Sequence, residues 1–215
     1  MHRVARFVAV LVVSAVLRPA LGIGQTDDPG PVRVGDRWTY EVKDAATGDL
    51  RTVMTIVAVE INDKEITTRV SYRGNDLPRT IVFDSQWAII DDSVWKNRPA
   101  GVLGIRTPLQ VGKTWRSEAN STNMQTGTAL RCSSVAKVVA QEKITTQAGT
   151  FDIFRVETSI LQVNSKDATK SARLTYVHWY APAINRWVKQ TLEFRVEGRV
   201  RDSTVEELTD HSRKP

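Results

Sequence analysis

Side-chain polarity alternates with a period of two along much of the sequence, and this feature constrains the fold most strongly. In the clearest case, residues 188–200, the apolar Leu192, Phe194 and Val196 occupy alternate positions. Charged residues of mostly alternating sign occupy the intervening positions. Successive side chains of a β-strand point to opposite faces of a sheet. The pattern therefore predicts a strand with one buried and one wetted face, which is typical of antiparallel sheets.

Shorter alternating runs recur, and turn-forming sequences separate them. The runs are Val53–Ile61, Ile66–Tyr72 and Leu174–Tyr180, and the turns lie at 47–49, 74–76 and 148–150. After residue 22, no stretch combines a helical period with a capping residue and a stop signal. A long twisted sheet must close or cover its edges. We therefore predict an all-β fold, a single antiparallel curled sheet or half-open β-barrel.

One phrase occurs twice in the sequence. Pro-x-x-Val-Gly-x-x-Trp ends at Trp38 in the first copy and at Trp115 in the second. Each copy is followed by a second shared pattern, Val-Ala and then Ile-Thr-Thr, at nearly the same offset. We therefore predict a single β domain, residues 23–208, built from half-repeats at 31–97 and 108–206. Both tryptophans are predicted to pack in its core.

The first 22 residues have the features of a signal peptide. Two arginines precede the apolar run Phe7–Leu17, and Ala20-Leu21-Gly22 fits a small-x-small cleavage site. The run is shorter than the roughly 20 apolar residues that span a bilayer. We therefore predict a periplasmic or secreted protein with no permanent membrane span. At the other end, residues 209–215 are predicted to form a disordered tail.

The charge of the chain gives no reason to expect a nucleic-acid partner. The whole chain has a net charge of +6. Removal of residues 1–22 would take away three arginines and no acidic residue. The remaining charges are mixed in sign and do not cluster, which indicates a solvated surface.

The sequence lacks the common motifs of catalysis. It contains no Gly-x-Ser-x-Gly, His-Glu-x-x-His, Cys-x-x-Cys or phosphate-binding glycine loop. Residues 23–215 hold two histidines, His178 and His211, and one cysteine, Cys132, whereas a zinc site takes three or four protein ligands. We interpret His178 as structural, Cys132 as a small apolar residue and Asp91-Asp92 as a polar turn. We predict no enzymatic activity, no cofactor and no metal site.

Four aromatic residues crowd around one turn in the second half of the chain. They are Tyr176, Trp179, Tyr180 and Trp187. Core packing explains such residues well, since each buried ring removes roughly 150–250 Å² from water. The same rings could also form the rim of an apolar pocket or a stacking platform for a sugar. We therefore treat these four residues as candidate ligand-binding residues, with core packing as the alternative.

Several phrases carry a family resemblance. They are Val34–Tyr40, Val111–Trp115, Ala148–Val156 and Trp179–Lys189. Together they resemble uncharacterised secreted bacterial proteins, the TapB-like, domain-of-unknown-function periplasmic type. The resemblance implies an all-β periplasmic domain and no assigned catalytic residue. Asn185 departs from the glycine usual in that pattern, but asparagine tolerates positive φ, so the turn is expected to remain.

These observations leave three functions open. The first is a non-catalytic periplasmic or secreted protein that binds an apolar or lipid-like ligand inside a curled sheet. A looser similarity in character to LolA- and LolB-type lipoprotein carriers motivates this function. The second is a carbohydrate or cell-envelope interaction protein with an exposed aromatic platform. The third is an enzyme of an unrecognised type. We favour the first because export, antiparallel alternation and missing catalytic motifs occur together.

Overall fold

The computed structural model describes residues 30–214, so the predicted signal peptide, residues 1–22, lies outside the described residues. This part of the chain forms twelve β-strands and one short 3-10 helix. Each strand is antiparallel to both of its neighbours, and consecutive strands of the chain lie side by side. Within residues 30–214, no helix is both long and apolar enough to cross a membrane.

Tight turns connect most of the strands, and a longer segment connects β6 to β7. The strands are β1 Arg37–Asp44, β2 Leu50–Ile61, β3 Glu65–Tyr72, β4 Asn75–Asp84, β5 Ile89–Asp91, β6 Trp95–Arg98, β7 Thr114–Asn123, β8 Ala129–Thr146, β9 Gly149–Asn164, β10 Ser171–Ala181, β11 Arg186–Val196 and β12 Arg199–Ser212. The 3-10 helix, Pro182–Ile184, joins β10 to β11.

The sheet closes into a barrel because its first and last strands pair with each other. The pairing of β1 with β12 runs from Arg37 opposite Ser212 to Asp44 opposite Thr204. The predicted all-β antiparallel class is confirmed, but the predicted curled sheet or half-open barrel is wrong. The reason is the length of β12, which covers the whole of β1 and leaves neither strand with an unpaired edge.

The predicted disordered tail, residues 209–215, is wrong where the structure describes it. Thr209–Ser212 belong to β12. Beyond that strand, the Lys214 N–H and the Arg213 Nε donate to the carboxylate of Asp36, at 2.8 and 3.3 Å. The end of the chain is therefore held against the turn that precedes β1.

The two ends of the barrel differ. One end, the mouth, carries the turns that follow β1, β3, β5, β7, β9 and β11. The other end, the base, carries the 3-10 helix and the remaining connections. Buried aromatic side chains fill the base: Trp38, Phe83, Trp87, Tyr180 and Trp187. Trp87 meets Trp38, Phe83 and Trp187 edge to face, with ring centres 5.3–6.4 Å apart.

Both copies of the repeated phrase form the same local structure. Gly35 and Gly112 have φ of 92° and 91°, which glycine adopts without steric cost. Each glycine N–H donates to a carbonyl of the next strand, at 2.7 Å in β2 and 2.9 Å in β8. Trp38 and Trp115 follow these turns and are both buried, as predicted. The duplication of the two complete half-repeats stays a prediction.

Two of the predicted strand faces need correction. Within the predicted run Val53–Ile61, the structure buries Met54, Ile56 and Ala58, whereas the alternate positions Val53, Val57 and Val59 are half-buried or exposed. Ile56 pairs with Trp38, and paired residues share a face, so the position of Trp38 decides which face is buried. At the other end of the chain, β11 ends at Val196, and Val200 is an exposed residue of β12.

The wall of the barrel has the fewest paired residues between β5 and β6. In the described part of the chain, one residue pair, Asp91 with Lys96, joins these two strands. The connection from β6 to β7 then passes along the inside of the wall. Its Val102 packs with the buried Cys132 and Ile160, and the Val102 carbonyl accepts a hydrogen bond of 2.8 Å from Ser134 Oγ. Cys132 is thus a buried strand residue, as predicted.

Replacement of Asp36 tests whether the contact between the chain ends supports closure. Asp36 is completely buried and accepts hydrogen bonds from Arg33, Arg213 and Lys214. Because several of these bonds are lost together, we expect Asp36→Ala to lower the free energy of unfolding by about 2–3 kcal/mol. Chemical denaturation measures the change.

Asp210→Ala is the matched control for this variant. Asp210 forms one exposed ion pair with Arg37 at 2.8 Å, and such pairs contribute at most about 1 kcal/mol. Equal destabilisation by the two substitutions would contradict the role given to Asp36.

Candidate functional site

The four predicted aromatic residues do not form one exposed surface. Tyr180 and Trp187 are buried, and Tyr176 lies on the same inward face of β10 as Tyr180. Trp179 lies on the outer face, where Lys189 Nζ is 5.6 Å from the centre of its ring. The prediction of an exposed stacking platform is therefore wrong, because strand alternation and barrel closure turn three of the four rings toward the interior.

The inward rings pack around His178. Tyr176 stacks on the imidazole with ring centres 5.7 Å apart and planes 6° apart. Trp187 meets the imidazole edge to face at 5.4 Å. The Tyr180 hydroxyl donates a 2.6 Å hydrogen bond to the side chain of Asn185, which has φ of 48°. The predicted turn at Asn185 is confirmed, and it directs β11 back into the wall.

A polar row crosses three neighbouring strands in the middle of the barrel. His178 of β10 is paired with Gln190 of β11, and Gln190 is paired with Glu206 of β12. Glu206 lies between the buried Thr204 and Leu208 in the alternation of β12, so its side chain also faces inward. The row brings an imidazole, an amide and a carboxyl group together inside the barrel.

Burial changes the titration of this row. It raises the pKa of the Glu206 carboxyl to about 7, although the nearby Arg186 charge acts in the opposite direction. It lowers the pKa of His178 to about 4, so that the imidazole is neutral at pH 7. Burial also raises the pKa of Tyr176 and Tyr40. In each of these groups, burial therefore favours the neutral form over the charged form.

Arg186 is the exception, because arginine keeps its charge in proteins. The residue is completely buried at the base. Its guanidinium carbon lies 3.6 Å from the ring centre of Trp187 and 3.9 Å from that of Trp87. The rings of Phe83 and Trp38 lie at 5.3 and 5.5 Å. Arg186 thus occupies a cage of four aromatic rings.

No acceptor from residues 30–214 makes a well-formed hydrogen bond with the three guanidinium nitrogens of Arg186, and the Tyr40 hydroxyl is the side chain near enough to interact with them as a weak partner. The nearby Tyr40 hydroxyl instead donates a 2.8 Å hydrogen bond to the main-chain oxygen of Trp187. The indole nitrogen of Trp38 also lacks an acceptor in this part of the chain. The base of the barrel therefore holds a surplus of buried donors.

The mouth of the barrel is less completely filled than the base. Inward-facing side chains of β10 and β11, including Leu174, Tyr176, Leu192 and Phe194, are each partly accessible to solvent. A cavity of about 390 Å³ opens at this end. Its lining includes Leu130, Gln162, Ala172, Phe194 and Val196. A hollow of about 440 Å³ lies elsewhere, between β7 and β8, but exposed residues such as Glu118 and Arg131 form much of its lining.

The described residues offer little else for chemistry. No group of three His, Cys, Asp or Glu side chains between residues 30 and 214 is arranged to hold a metal ion. Asp91 and Asp92 accept hydrogen bonds from the main-chain N–H groups of Ser93, Val94 and Trp95. The prediction that this carboxylate pair forms a turn is therefore confirmed.

Arg186, Gln190 and Glu206 were not among the residues singled out from the sequence. Glu206 could have been found, because Thr204, Glu206 and Leu208 share one face of an alternating strand. The sequence gives no comparable indication for Arg186, since this residue directly follows the turn at Asn185. The strand alternation that could assign it to the inward face begins only after it.

Comparison with known proteins supports the fold. No protein-family profile matches the sequence, and no curated protein matches it. A solved structure from Parabacteroides distasonis, named as a "putative lipoprotein", has a TM-score of 0.60 at 14% identity. The similarity covers 88% of this chain and all of that one.

Two further solved structures share the fold. A "putative exported protein with YmcC-like fold" from Bacteroides fragilis has a TM-score of 0.56 at 12% identity, over 85% of this chain and 98% of that one. The "hypothetical lipoprotein YmcC" of Escherichia coli has a TM-score of 0.50 at 8% identity, over 84% and 85%. At these identities the similarity shows a common barrel fold.

Replacement of Glu206 tests the titration of the polar row. Glu206 interacts electrostatically with four other titratable groups, which are Arg186, Tyr40, Tyr72 and Tyr176. A pKa raised by folding means that the native state binds more protons than the unfolded chain between the two pKa values. The carboxyl therefore costs stability progressively as the pH rises from about 4.5 to above 7.

We expect Glu206→Gln to remove this cost. The stability of the variant relative to the native protein should rise by about 2 kcal/mol between pH 5 and pH 8, measured by denaturation at each pH. The titration of His178 is common to both proteins and cancels in the difference. Glu207→Gln is the control, because Glu207 faces outward beside Lys189. Equal slopes for the two variants would contradict the inward position of Glu206.

Proposed function

We propose that the protein is a non-catalytic, extracytoplasmic binding protein that holds an apolar or lipid-like molecule in the mouth half of the barrel. The observation that carries this proposal is the partial accessibility of inward-facing apolar side chains near the mouth. A filled core would bury such residues completely.

The volume and the lining of the cavity at the mouth support this proposal. The volume of about 390 Å³ falls within the range of roughly 300–1,000 Å³ that is usual for ligand sites. Leu130, Phe194 and Val196 supply apolar lining, Gln162 and Asn164 supply polar groups, and the exposed Lys170 and Glu197 also line the cavity. The aromatic residues that fill the base close the opposite end. A ligand would therefore enter from the mouth and lie along β10 and β11.

Extracytoplasmic location is supported by the sequence and by the names of the structural relatives. The basic and apolar features of residues 1–22 predict export. The three solved relatives are named as lipoproteins or an exported protein. A binding protein outside the cytoplasm, in contact with envelope lipids, is consistent with both observations.

Binding of a neutral apolar dye tests the proposal. N-phenyl-1-naphthylamine fluoresces strongly in apolar surroundings, and we expect the protein to bind it saturably. Ala172 is a half-buried, inward-facing residue that lines the cavity. Ala172→Trp should fill the space and weaken dye binding about tenfold or more, since about 1.4 kcal/mol corresponds to a factor of ten. Titration with direct excitation of the dye measures the affinity.

Thr175→Trp provides the control because Thr175 is exposed on the outer face of the same strand. It adds the same ring outside the cavity and should leave the affinity unchanged. Absence of saturable binding to the native protein would refute the proposed function. Equal affinities of the two tryptophan variants would place the dye elsewhere on the protein.

A further inference from the structure

Arg186 is a buried cation whose hydrogen-bonding capacity is mostly unused. A guanidinium has five N–H donors in its plane, and stacking on aromatic rings uses none of them. In residues 30–214, its nitrogens make no well-formed hydrogen bond and have one weak partner, the Tyr40 hydroxyl, although buried polar groups are nearly always hydrogen-bonded. Such a group is costly unless another molecule supplies acceptors. An acceptor from another molecule would satisfy these donors.

Glu206 is the carboxyl group whose charge acts on Arg186 in the described part of the chain. It is a poor permanent counter-ion, because burial raises its pKa to about 7. Near neutral pH, Glu206 is therefore protonated in a large fraction of the molecules, and Arg186 then lacks a negative partner. An anion from outside the chain would supply both the missing charge and the missing acceptors.

The half-buried residues connect the mouth with this region. Val196, Phe194 and Leu192 lead along β11 toward the polar row, and Glu206 in that row is itself partly accessible. From Val196 to Arg186 the strand spans ten residues, at about 3.3 Å each along its own direction. The cavity at the mouth and the cage at the base thus lie toward the two ends of β11, and the register irregularity opposite Trp179 and Tyr180 lies near the cage.

We propose that Arg186 binds the anionic head group of a single-chain amphiphile whose apolar chain extends toward the mouth. This proposal rests on the proposed function, because it specifies the ligand that the barrel holds. A carboxylate or sulfonate has two or three oxygens that match the fork of a guanidinium. The unpartnered indole N–H of Trp38 provides an additional donor nearby.

A head-group series with a constant chain tests the proposal. Octadecanesulfonate, octadecanoate, octadecanol and octadecyltrimethylammonium, whose chains are long enough to reach from Arg186 toward the mouth, should each be titrated against bound N-phenyl-1-naphthylamine at pH 7.5. We expect octadecanesulfonate and octadecanoate to displace the dye at concentrations about tenfold or more below octadecanol, because hydrogen bonds to charged groups are the stronger ones. The cationic amphiphile should be the weakest competitor, since it places a positive charge near Arg186.

Arg186→Met retains an unbranched, buried side chain and removes the charge. It should bind the neutral dye and lose the preference for the anionic competitors, so that the sulfonate and the alcohol differ less than twofold. Arg173→Met removes an exposed charge from the outer face and should retain the preference. Glu206→Gln should retain or increase it, because the variant removes the carboxyl group that competes for Arg186.

The outcomes separate this inference from the function on which it rests. If the native protein does not bind the dye, the proposed function fails. If the dye binds and the four competitors displace it equally, the apolar site stands and the role of Arg186 is refuted. Loss of the anion preference in Glu206→Gln would also refute it, since Glu206 would then be required for binding. The competitor series on the native protein distinguishes these outcomes even if Arg186→Met does not fold.

Discussion

Pairing between β12 and β1 is the interaction on which the rest of the structure depends. It gives every strand two neighbours, so that water reaches the interior mainly through the ends of the barrel. Aromatic side chains block one end. The burial of Arg186, the inward position of Glu206 and the partial accessibility of Phe194 and Leu192 therefore all follow from the closure of the barrel. An open sheet with the same strands would expose Arg186 to water and leave its donors satisfied.

The antiparallel all-β class could be predicted from the sequence because alternation is a local property. The apolar series Leu192, Phe194 and Val196 does face inward in β11. Closure could not be predicted, since it depends on the register of two strands that lie at opposite ends of the chain. For the same reason, the strand at Thr209–Ser212 could not be predicted. These residues include no large apolar side chain, and they form a strand because β1 is available as a partner.

The site was predictable in part. Alternation in β10 places Tyr176 and Tyr180 on one face and Trp179 on the other, so the sequence pattern itself argues against a common platform. His178 shares the inward face and is buried, and its structural role stays a prediction. The burial of Arg186 could not be predicted from the sequence. Charged residues are rarely buried, and the turn at Asn185 interrupts the alternation of polar and apolar residues just before Arg186. Its environment comes from Trp38, Phe83 and Trp87, which are distant in the sequence.

The short strands β5 and β6 have a consequence for the way in which the molecule can deform. The ladders of β8–β11 are long and hold that part of the wall together. Between β5 and β6 the ladder is reduced to the pair Asp91 and Lys96, and the Ile89 carbonyl adds bonds from Asn97 Nδ2 and the Gly101 N–H. Widening of the barrel would therefore break the fewest ladder bonds along this line, and those at Ile89 would be lost with them.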